Sequence, residues 1–187
     1  YNEKDLEYYI MRDNLKTTQS FNKTGQDWDN LYKPGHLHGN WLDNQTEIKD
    51  AVDIGSGTGW FVNYLKSYKN FENVIGIEPS EAAVDIAKKV HDGSDVNYLC
   101  GLAEDILPTI ELKHKTLFTT FIVLSHIPDI IVKKILKNAA GCKVVDEERD
   151  GGYTTPLDAE GEYQTFISRI RKDHSNKKAI NIWVVSD

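Results

Sequence analysis

A carboxylate followed, after one intervening residue, by three alternating glycines is suited to holding a small charged ligand, and the chain carries it as Asp53-Ile54-Gly55-Ser56-Gly57-Thr58-Gly59. Glycine takes φ > 0 and lets a ligand approach the main chain, while the first N–H groups of a following helix point into the turn. Such a turn is a nucleotide-type cradle, to which Ser56 and Thr58 add N–H groups or hydroxyls. The acid before the turn repels a pyrophosphate and suits a cationic or amino-bearing ligand, and the spacing is GxGxG rather than the GxGxxG of dinucleotide folds. A second carboxylate, Glu78, closes the run Asn73-Val74-Ile75-Gly76-Ile77. At a strand end it can accept hydrogen bonds from both hydroxyls of a ribose. A nicotinamide-linked dehydrogenase also places an acid near this spacing, so the first turn has to separate the two ligand classes.

A third candidate is His126, in Leu124-Ser125-His126-Ile127-Pro128-Asp129, just past the long apolar run that begins at Leu117. Ligands of open α/β sheets bind outside the carboxyl ends of strands, and imidazole titrates near neutral pH. His126 is therefore a candidate general base beside an acceptor, the alternative being a wall histidine bonded to backbone. His36 and His38 follow a Pro34-Gly35 turn without Cys or acidic partners at ligand spacing, so no metal site is expected. The two cysteines, Cys100 and Cys142, lie in apolar or strand-like settings and are expected as buried, reduced thiols.

To bring Asp53, Glu78 and His126 together, strands must end side by side, and the chain alternates strand-like and helix-like segments from residue 50 onward. Strands are expected at 50–54, 73–78, 96–100, 117–124, 142–146 and 179–185. Helices are expected at 58–68, after Pro79 with Ser80 as N-cap, and over 129–140 before Gly141. Residues 147–161 read as an acidic, glycine-rich loop, and 163–170 as helix or strand. The fold class is α/β: a Rossmann-like, doubly wound, mostly parallel sheet of six to seven strands with helices on both faces. Residues 1–47, polar and rich in aromatics, form an N-terminal cap, and 48–187 the cofactor-binding domain.

The acid-x-GxGxG pattern, Glu78 and the Leu124–Asp129 segment resemble the class I methyltransferases that use S-adenosylmethionine, small-molecule type, over about residues 50–146. The resemblance implies that Asp53 helps hold the cofactor's amino group and that Gly55, Ser56, Gly57, Thr58 and Gly59 line its methionine and ribose parts. It makes Glu78 the ribose ligand, with Pro79 and Leu124 beside it. The segment Cys100–Ile106 is similar to the family's third motif but has Leu102 where Asp is frequent. Leu102, the Ala103 backbone and Glu104 are then the adenine contacts, unless Glu104 faces solvent. The family commonly closes its sheet with a helix and an antiparallel hairpin, for which the stretch after Asp146 is cramped.

A net charge of −7 and a pI near 5.4 argue against phosphate-rich partners, leaving Lys133-Lys134 and Arg169–Lys172 as solvated helix faces. No run approaches the roughly 18 apolar residues of a membrane span, so a cytoplasmic protein is expected. The chain opens at Tyr1 and is expected to be cut from a longer one. Methyl transfer to a small-molecule acceptor, at O, N or C, leads; the oligomeric state stays open. A non-catalytic cofactor-binding or partner-binding protein on the same fold is the alternative, followed by a nicotinamide-linked oxidoreductase.

Overall fold

The computed structural model describes residues 46–68, 70–121, 123, 127–139, 143–146, 153–156, 168 and 181–185. One seven-stranded sheet runs through them in the order β3-β2-β1-β4-β7-β5-β6. Its strands are β1 (Asp50–Ile54), β2 (Asn73–Glu78), β3 (Asn97–Cys100), β4 (Thr116–Phe121), β5 (Lys143–Asp146), β6 (Tyr153–Pro156) and β7 (Asn181–Val185). β1 pairs in parallel with β2 and β4, and β2 with β3. β7 is antiparallel to both β4 and β5, and β6 is antiparallel to β5.

β1 is buried at every position because helices cover both faces of the sheet. Alternation sends Val52 and Ile54 into one core with Ile75, Ile77 and Phe118. There α3 (Ala103–Ile106), the 3₁₀ turn Leu107–Thr109 and α4 (Asp129–Ala139) contribute Ala103, Leu107, Ile131, Val132, Ile135 and Leu136. Ala51 faces the second core, built from Phe61, Val62 and Leu65 of α1 (Trp60–Tyr68) and from Val84 and Ala87 of α2 (Glu81–Val90). The result is the expected three-layer α/β/α arrangement.

The helices start where local chemistry dictates. Ser80 caps α2, its hydroxyl accepting from the Ala83 N–H at 3.3 Å, with Glu81 in the first turn. α1 begins only at Trp60, because Gly55, Gly57 and Gly59 all have positive φ (75°, 54° and 84°) and cannot be helical.

Three expectations are corrected. The stretch 147–161 contains strand β6: Tyr153-Thr154-Thr155 are good strand formers, and Pro156 is tolerated because β6 is the sheet's edge. β4 ends at Phe121, short of residue 124, and Val123 lies beyond it. Cys100 is exposed, because it ends β3 at the opposite edge of the sheet; Cys142 lies outside the described residues. The two strands described after Asp146 do not pair with each other as the closing hairpin implied by the resemblance would: β6 pairs antiparallel with β5, and β7 is inserted between β4 and β5. The cap over 1–47 falls, apart from Thr46 and Glu47, outside the described residues, as do 163–167 and 169–172.

Candidate functional site

Strand order reverses between β1 and β4, since the chain winds outward from β1 through β2 to β3 and then returns to the other side of β1 as β4. That switch point is where two loops diverge and leave a crevice. The glycine turn lies in it. Gly55 and Ser56 donate their N–H groups to the carbonyl of Ile77 at 2.8 and 3.0 Å, which ties the turn to the end of β2. A side chain at Gly55 would collide with Val123, the described residue beyond β4, so this glycine lets the two loops pack. At Gly57 a Cβ would meet nothing within 4 Å, so the middle of the turn borders open space.

Two carboxylates flank the turn. Glu78, 4% exposed, accepts from the Gly57 N–H at 3.0 Å through Oε2 and from the Ser80 N–H at 2.9 Å through Oε1. One acid thus joins the glycine turn to the start of α2. Burial pushes its pKa up, partly offset by these two backbone hydrogen bonds. Asp53, 2% exposed, accepts the Thr119 hydroxyl at 2.8 Å. The parallel register sets Thr119 directly beside it. Burial raises the Asp53 pKa to about 7, the Thr119 hydrogen bond opposes the rise and the charge on Glu78 adds to it. Among the described residues no salt bridge reaches either carboxylate, so two acids crowd one buried site without a cation.

The third strand end joins this site, for Cys100 pairs with Glu78 in register and the Gly101 N–H donates to the Glu78 carbonyl at 3.0 Å. Leu102, which precedes the first turn of α3, and Ala103 are buried. Glu104 is buried at 4% exposure, so the reading in which it faces solvent is corrected: its helix packs against the sheet and α4. Pro79 is exposed and Thr58 half-exposed. The structure therefore brings Asp53, Gly55, Ser56, Gly57, Thr58, Gly59, Glu78 and Pro79 to one crevice, with Leu102, Ala103 and Glu104 following β3 at its side. Leu124 and His126 lie outside the described residues. Among the described residues no cluster of His, Cys, Asp and Glu could hold a metal, and no helix is long and apolar enough to cross a membrane.

Sequence reasoning missed Thr119. That residue is one of three threonines in β4, and only the strand register aligns it with Asp53. It also missed Tyr98 and Asn63, whose polar ends meet beneath the turn.

Residues 51–142 match the model of a family described as methyltransferase domain. Residues 108–187 match a second, described as semialdehyde dehydrogenase, dimerisation domain, so the two overlap over 108–142. Among curated proteins, the chain is similar to aspartate-semialdehyde dehydrogenase of Aquifex aeolicus (strain VF5), 40% identical over 55 residues, covering 29% of this chain and 16% of that one. The enzyme of the same name from Bacillus subtilis (strain 168) is 39% identical over 56 residues, 30% of this chain and 16% of that one. The matching stretch thus spans only 16% of the length of either relative. Among solved structures, the plantazolicin methyltransferase BpumL in complex with a pentazolic desmethylPZN analog and SAH aligns over 100% of both chains, at 14% identity and a TM-score of 0.48.

Proposed function

Since the chain belongs, through residues 51–142, to the class I methyltransferase family, we propose that its crevice binds S-adenosylmethionine and transfers the methyl group to a small-molecule acceptor. The observation that carries this reading is the pair of buried carboxylates, Asp53 and Glu78, set around a glycine turn with no cationic partner among the described residues. A ligand that brings an ammonium and a ribose relieves both acids, the ammonium beside Asp53 and the ribose hydroxyls on the free lone pairs of Glu78. A pyrophosphate would add negative charge to a site that already repels it.

When bound, S-adenosylmethionine supplies a methyl group activated by its sulfonium. The chain's own task is alignment and exclusion of water, and orientation in a near-attack geometry lowers a barrier by about 7–11 kcal/mol in favourable cases. With Asp53 and Glu78 holding the donor, the acceptor's lone pair would take the methyl group in line with the sulfur it leaves. Where the acceptor carries a proton, His126 is the residue we assign to take it, an assistance worth typically 10²–10⁴-fold. We assign the acceptor walls to the aromatic N-terminal segment and the loops after the fourth and fifth strands. Calorimetry with S-adenosylmethionine, S-adenosylhomocysteine and NAD tests the donor site: the first two bind, and binding of NAD alone overturns the reading. Transfer of labelled methyl to a metabolite extract then separates an enzyme from a non-catalytic binder.

A second reading concerns the C-terminal part alone. The match of residues 108–187 to a dimerisation domain favours self-association through that part, with the donor site left to residues 51–142. Sedimentation of the full chain checks it, a concentration-independent monomer being the result against it.

A further inference from the structure

We infer that Tyr98 and Asn63 are positioning residues that hold the last glycine of the turn in its ligand-binding shape; this rests on the proposed donor site. Tyr98 lies on β3, two strands away from the turn that follows β1, yet its ring reaches beneath that turn. The reach is possible because its register partner on the intervening strand is Gly76. A Cβ at Gly76 would stand 3.1 Å from the Tyr98 ring and 2.8 Å from Ser56 Oγ. Gly76 is thus a gap in β2 through which the ring crosses to the glycine turn.

At the far end the ring meets Gly59, where a Cβ would come within 2.6 Å of the Tyr98 hydroxyl. Gly59 has φ 84°, so both its conformation and the ring below it require glycine. Asn63, in the first turn of α1, completes the arrangement. Its side-chain amide donates to the Gly59 carbonyl at 2.7 Å and also to the Tyr98 hydroxyl, while its backbone N–H donates to the same Gly59 carbonyl at 3.1 Å. Tyr98 is buried, at 7% exposure, so these polar atoms have little water to fall back on. The pair therefore fixes the junction between turn and helix, where the N–H groups that face a ligand originate. Both residues meet the turn at Gly59, and each is assigned to act through it.

The test uses Tyr98→Phe, Asn63→Ala and the double variant of the full chain. Tyr98→Phe keeps the ring that fills the space under Gly59 and Gly76 and removes only the hydroxyl. Hydrogen exchange without ligand and titration with S-adenosylhomocysteine are measured together with the thermal midpoint. Each single variant is expected to speed exchange at the Gly59 and Asn63 amides several-fold and to weaken S-adenosylhomocysteine about five- to tenfold, the scale of one hydrogen bond. The double variant is expected to lose less than the sum of the two single losses, because the Tyr98 hydroxyl and the Asn63 amide share one hydrogen bond. Unchanged exchange at these amides, or losses that simply add, overturns the inference, as does a fall in affinity that only follows the thermal midpoint. A wild-type chain that fails to bind S-adenosylhomocysteine overturns the donor-site reading instead, and the ligand-free exchange still decides whether Tyr98 and Asn63 hold the turn.

Discussion

At the scale of single residues, Asp53 is the informative group, because its ionisation opposes folding and favours a cationic ligand. Its pKa stands at about 7 in the folded chain against an ordinary 3.8. A carboxyl raised on folding binds more protons in the native state, so its contribution is full below about pH 4 and is lost as pH rises through 7. Asp53→Asn is therefore expected to raise the thermal midpoint of the ligand-free chain at pH 8. The same substitution removes the charge that we assign to the ligand's ammonium, so on the proposed reading affinity for S-adenosylmethionine should fall at least tenfold. In the wild type, affinity should climb between about pH 6 and 8 with release of up to one proton, because the ligand selects the ionised form. Calorimetry in buffers of different ionisation enthalpy reads that proton, and Asp53→Asn should abolish it. Glu78→Gln gives the complementary case: one oxygen becomes a donor facing the N–H of either Gly57 or Ser80. A loss of ribose-dependent affinity is expected, checked by comparing adenosine with 2′-deoxyadenosine on the wild type and the variant.

At the scale of elements, Ser80 and Gly59 separate helix stability from site geometry. Ser80 contributes its hydroxyl to the α2 cap and its backbone N–H to Glu78. Ser80→Ala deletes only the first, so urea denaturation should show a loss of about 1 kcal/mol while cofactor affinity is kept. Gly59→Ala places a methyl at positive φ and against Tyr98, a combination that should cost about 1–3 kcal/mol and abolish binding together. The central elements were legible in the sequence because each carries its own signal: Ser80 before a helical stripe, glycine in the turn, an apolar run for β1. β6 was not, since Tyr153-Thr154-Thr155 lies among acidic and glycine residues and becomes a strand only by pairing with β5. The exposure of Cys100 is not legible either, because a strand ending in an apolar setting looks the same at an edge as at the centre.

At the scale of the whole molecule, the two ends of the sheet have separate tasks. At the end opposite the crevice, Asp50 is fully buried and accepts from the Asn73 amide at 2.8 Å, with the His114 imidazole at 3.3 Å and Glu72 on its far side at 3.5 Å. His114→Ala should lower stability by about 1–2 kcal/mol, since Asp50 keeps only one side-chain partner among the described residues. Affinity for S-adenosylhomocysteine should not change, and paired denaturation and binding curves check both statements.

By itself the sequence determined the glycine turn, the acid before it, the acid ending the next strand and the helix that follows, because each depends on a few consecutive residues with fixed backbone preferences. Only the tertiary structure decided what those residues touch. Strand register put the Thr119 hydroxyl on Asp53, the missing side chain at Gly76 let Tyr98 pass under Gly59, and the turn's own amide came to rest on Glu78. It also decided that β7 lies between β4 and β5. Pairing across a sheet joins residues far apart in the chain, and no local pattern specifies which strand will be the neighbour.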